Sequence, residues 1–67
     1  MMDSTERDTF AKILRRTLKE SSEFSDLGED YQKQIRKSIN TFQEEGYYAI
    51  PRHLRNDFDW LVRETLY

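Results

Sequence analysis

Three stretches of this chain repeat apolar residues every three or four positions. That period fits an amphipathic helix and excludes a strand, whose faces alternate at every second residue. In the first stretch Phe10, Ile13, Leu14, Thr17 and Leu18 share one face, which predicts a helix over about 5–20. Ser4 or Thr5 is placed to cap it, Glu6 and Asp8 suit its positive end, and Lys19 suits the other. In the second stretch Tyr31, Ile35, Ile39 and Phe42 predict a helix over about 27–45. Asp26 and Glu29 have the spacing of a capping box; alternatively Gly28 closes a short turn and moves the start to Glu29 or Asp30. Gly46 is placed to end this helix in a left-handed conformation. In the third stretch Leu54, Phe58, Leu61, Val62 and Thr65 predict a helix over about 51–65, with Pro51 at its first position and Ile50 extended before it.

Between these runs, Ser21–Ser25 reads as a polar break from which Phe24 folds back onto the core. Tyr47–Ile50 reads as a connector with one tyrosine turned inward and one outward. The pattern predicts one all-α domain over 1–67, a small three-helix bundle, with helix-turn-helix-like packing as a compatible variant.

A chain of 67 residues buries only roughly 60 % of its unfolded surface, so the core is expected to be thin. Nine aromatics nevertheless argue against disorder in a chain that is 36 % charged. A core of this size rarely leaves more than ~3–5 kcal/mol, and a homodimer is one way to add to it. The chain has no cysteine, which removes disulfides and thiolate sites together. Its N-terminus, Met1-Met2-Asp3-Ser4-Thr5-Glu6, carries acid where a signal peptide needs base, and no apolar run is long enough for a membrane span. A cytoplasmic setting away from membranes is the expectation.

Catalysis finds little material. There is one histidine, and no phosphate-binding glycine loop or metal-ligand cluster, so neither a cofactor nor an enzyme is expected. His53 and Asp57 stand four apart on the third helix, a spacing that fits two metal ligands but reads more plainly as a surface histidine beside a carboxylate. Glu44, Glu45 and Asp59 read as solvated carboxylates.

Two functional readings remain. In the first, Trp60 stands away from the apolar face of the third helix in the company of His53 and Tyr67, with Tyr48 at the edge. A large aromatic ringed by polar groups suits a protein-binding patch, as in a regulatory protein, inhibitor or adaptor. The competing expectation is that Trp60 covers the connector by packing on Tyr47, Tyr48 or Ile50.

In the second reading, Arg52, Arg55 and Asn56 open a recognition helix and read base edges, while Lys33, Arg36 and Lys37 on the second helix, or Arg15 and Arg16 on the first, hold phosphates, as in a DNA-binding transcriptional regulator. Asp57, Asp59 and Glu64 on the same helix weigh against it, as does the net charge of −2. With thirteen acids against eleven Lys/Arg there is no global attraction to nucleic acid, and such binding would need locally sorted charge. Lys12, Arg15, Arg16 and Lys19 repeat along the first helix opposite its apolar face, as Lys33, Arg36 and Lys37 do on the second; both stripes are expected to face water.

Overall fold

In the computed structural model, which describes residues 3–67, the first helix is capped by Asp3. Its carboxylate accepts the Glu6 backbone N–H at 2.8 Å, and α1 runs Ser4–Glu20. The cap thus falls one residue before Ser4, on a side chain whose charge also suits the positive end of the helix. Met1 and Met2, part of the stretch read above as unlike a signal peptide, lie outside the described residues.

Where composition predicts a plain polar break, Ser22–Ser25 makes a one-turn helix, α2, and Phe24 is fully buried as expected. Asp26 is held in helical backbone at the end of α2, so it does not cap the next helix. The capping box is not formed. α3, Glu29–Glu45, instead starts from an extended Gly28 with no side-chain cap, and Glu29 and Asp30 supply negative charge to its first turn.

Gly46 ends α3 with φ 98° and ψ 174°, a more demanding conformation than the expected left-handed helical one, and one essentially confined to glycine. The Arg7 guanidinium lies against it: a Cβ at Gly46 would meet Nη1 at 3.4 Å. Tyr47–Ala49 form a single 3-10 turn and Ile50 is extended. Pro51, with ψ 140°, caps α4 from outside, so α4 runs Arg52–Leu66, one residue later than the sequence suggests.

α1 and α3 lie antiparallel, with Asp8 bonded to Gln43, and Arg15 reaching Asn40 and Gln43 at 2.6 Å each. α4 closes the bundle, placing Phe58 5.2 Å from Phe42 and the Thr65 hydroxyl 2.9 Å from that of Thr17. Eleven side chains drawn from α1 to α4 and the connector form one core cluster, with Phe24, Phe58, Leu14, Ile35, Ile39, Ile50 and Leu61 its largest fully buried members. The architecture is all-α: three long helices as expected, plus the short α2.

The α1 face departs from expectation at two positions. Ile13 is 41 % exposed, and fully buried Ala11, too small to stand out in a pattern of large residues, takes part in the core. Ser38 is also fully buried, its hydroxyl satisfied by the Ile35 carbonyl at 2.6 Å.

Candidate functional site

α4 carries every residue of the two functional readings except Tyr48 and the cations of α1 and α3, and its polar side chains divide into those that hold the fold and those that face outward. Two of its carboxylates are latches. Asp57 accepts a hydrogen bond from the Tyr31 hydroxyl of α3, and Asp59 accepts from the Tyr47 hydroxyl at 2.9 Å. The Tyr31 phenol is pushed up to about 12, mainly by burial and then by the bond to Asp57. The Tyr47 phenol is also raised, chiefly by its bond to the Asp59 carboxylate.

Arg55 is a third latch. Its Nε donates to the Ile50 carbonyl at 3.1 Å and its Nη2 to the Tyr48 carbonyl at 2.9 Å, satisfying connector groups that have no ladder partner. Gln32 does the same for α2, donating to the carbonyls of Phe24 and Leu27 at 3.0 and 2.9 Å. None of these tertiary roles is visible in the sequence, because the partners stand 5 to 26 residues apart with no local pattern to announce them.

Trp60 is half-buried and packs on Phe24, ring centroids 4.5 Å apart, so it covers α2 rather than being stacked on the connector aromatics. The inward and outward tyrosines are as expected: Tyr47 packs near Phe58, and Tyr48 is 86 % exposed. His53, Trp60 and Tyr67 are spaced seven apart and share one face of α4, with His53 exposed and Tyr67 fully exposed. Tyr48 does not join them. Its backbone is tied to Arg55, on the other side of the helix.

No family model, curated protein or solved structure matches this chain.

For the nucleic-acid reading, Arg52 and Asn56 are exposed on the first turns of α4, but Arg55 between them is engaged with the connector. Lys33, Arg36 and Lys37 are exposed, yet Lys33 and Lys37 lie opposite the side of α3 that Tyr31 and Phe42 turn toward α4. The structure does not bring the base-reading and phosphate-holding sets onto one surface.

Asp57 is engaged by Tyr31, and among the described residues no group of three or more His, Asp or Glu is arranged to hold a metal ion. A shallow, open hollow beside α1, lined by Thr5, Glu6, Thr9, Phe10 and Ile13, has Glu6 as the one titratable group among its described lining residues. No helix among the described residues is long and apolar enough to cross a membrane.

Proposed function

We propose that this chain is a small, non-enzymatic interaction protein that binds another protein through the outward face of α4, acting as a regulator, inhibitor or adaptor. The observation that supports it is the setting of Trp60. Trp60 is half-buried, its ring backed by the fully buried Phe24, while exposed His53, Asn56, Glu64 and Tyr67 surround it along the helix. A large aromatic already held in one orientation loses little freedom on docking, and a polar surround gives a partner hydrogen-bonding groups at the rim.

The stacking on Phe24 makes Trp60→Ala a poor first probe, because that change strikes the fold as well as the surface. A photo-crosslinking side chain placed at Asn56 or at Glu64, both exposed on the α4 face, avoids this. In the cells that make the protein, each should yield the same discrete adduct, and the same group at exposed Glu45 on α3 should yield none. Adducts that form equally from all three positions, or from none, would remove the α4 reading.

A further inference from the structure

Charge in this protein is sorted far more sharply than its net value suggests. From Thr9 to Lys19 α1 has no carboxylate, and from Tyr31 to Gln43 α3 has none either. These 24 residues hold seven of the eleven Lys/Arg, a charge of +7, while the rest of the chain sets thirteen acids against four arginines and carries −9. The fold then places the two acid-free segments side by side. α1 and α3 are antiparallel neighbours, and half-buried Arg15 bridges them through Asn40 and Gln43. Lys12, Arg16, Lys19, Lys33, Arg36 and Lys37 are all exposed. On α1 the stripe runs about 10 Å from Lys12 to Lys19 at ~1.5 Å per residue.

We infer that this paired α1/α3 face docks the phosphate backbone of duplex DNA. The argument is charge complementarity at close range. A duplex presents about one negative charge per ~1.7 Å of axis with both strands counted, so ~10 Å of duplex carries about six phosphates, of which the stripe faces those on the near side. No interleaved carboxylate meets them in either segment, in contrast to α4, where Asp57, Asp59 and Glu64 accompany the arginines. Asp8, Glu20, Glu29, Asp30 and Glu44 flank the two segments at their ends. With charges screened over about 8 Å at physiological salt, the attraction is therefore confined to the middle of the face and is strongest at low salt. The cations stand on two helices with α4 behind them, and among the described residues no element projects from this face toward a groove. Binding is therefore to backbone, without sequence preference. This surface is separate from the outward face of α4, and the inference stands whether or not a protein docks there.

The test is fluorescence anisotropy of a labelled mixed-sequence DNA duplex of 20 base pairs, titrated with the full chain in about 50 mM salt. Saturable binding below about 100 µM is expected, weakening by at least about tenfold on raising the salt to about 200 mM, and equal for two unrelated duplexes. The double reversal Arg16→Glu with Lys37→Glu should weaken binding at least tenfold with an unchanged far-ultraviolet circular dichroism spectrum. Arg52→Glu on α4 should stay within about twofold of the parent. Three outcomes overturn the inference: no binding by 100 µM; an Arg52→Glu loss as large as that of the double reversal, which moves the surface to α4; or wild-type self-association at 50 mM salt that the double reversal abolishes, which makes the occupant a second copy.

Discussion

The outer face of the α1/α3 pair and the inner side of α4 both carry charge and use it in opposite ways. On α4 the charged groups are consumed by the fold: Asp57 by Tyr31, Asp59 by Tyr47, and Arg55 by two connector carbonyls. Of the eight Lys/Arg on α1 and α3 six are exposed; Arg15 is half-buried and reaches α3 through hydrogen bonds, and Arg7 is half-buried beside Gly46. The difference follows from what each element must cover. α1 and α3 meet along regular helical faces whose backbone groups are already satisfied. α4 must hold an irregular stretch, the end of α3 and the 3-10 turn, whose carbonyls need donors from outside. Charge on the inner side of α4 is therefore structural, and the exposed cations of α1 and α3 are surface.

The largest test of this contrast is Phe24→Ala. It empties the site that α2 fills beneath Trp60, and the expected loss is about 3–5 kcal/mol, comparable to the whole stability of a domain this small. Urea unfolding followed by tryptophan emission measures it; a loss under about 1 kcal/mol would mean that α2 is not part of the cooperative core.

Removing a latch comes next. Asp57→Ala leaves the Tyr31 hydroxyl without its partner and should lower stability by about 1–3 kcal/mol. A change close to zero in the same urea assay would place Asp57 with the surface charges.

The Tyr31 phenol tests the same latch through pH. Its value in the fold, about 12, lies above the ordinary 10, so the protonated form favours the folded state. The contribution is complete below pH 10 and is lost as pH rises from about 10 through 12. Absorbance at 295 nm should show one tyrosine ionising near 12, and Tyr31→Phe should flatten the fall in stability across that window.

Smallest of all, Lys33→Ala with Lys37→Ala should shift stability by no more than about 0.5 kcal/mol. A loss of 2 kcal/mol would show that the cations of α3 hold the fold as those of α4 do.

The three long helices were legible because each is written twice, in apolar period and in punctuation such as Gly46. Their ends were less so. Asp26 has the right spacing for a capping box, but burying Phe24 draws it into the end of α2, and a preference of ~1 kcal/mol yields to a buried aromatic. On the α4 face, the shared side of His53, Trp60 and Tyr67 follows from their spacing alone. What backs Trp60 does not, since Phe24 lies 36 positions away in a segment without periodicity. The separation of Tyr48 from that face was hidden in the same way, by the Arg55 bonds. The adjacency of the two basic stripes needed the antiparallel pairing of α1 and α3, which no single stripe records.

α2 is the least self-sufficient element of the chain. Four residues without a side-chain cap cannot persist as a helix alone, so the segment exists through Phe24 and the carbonyl bonds from Gln32. It is therefore the expected seat of local opening, with amide hydrogen exchange faster there than in the cores of α1 and α3. Such an opening withdraws Phe24 from Trp60 and lets water reach the indole from behind. The one tryptophan of the protein thus doubles as a built-in sensor of this single helical turn, its emission recording whether Phe24 is seated beneath it.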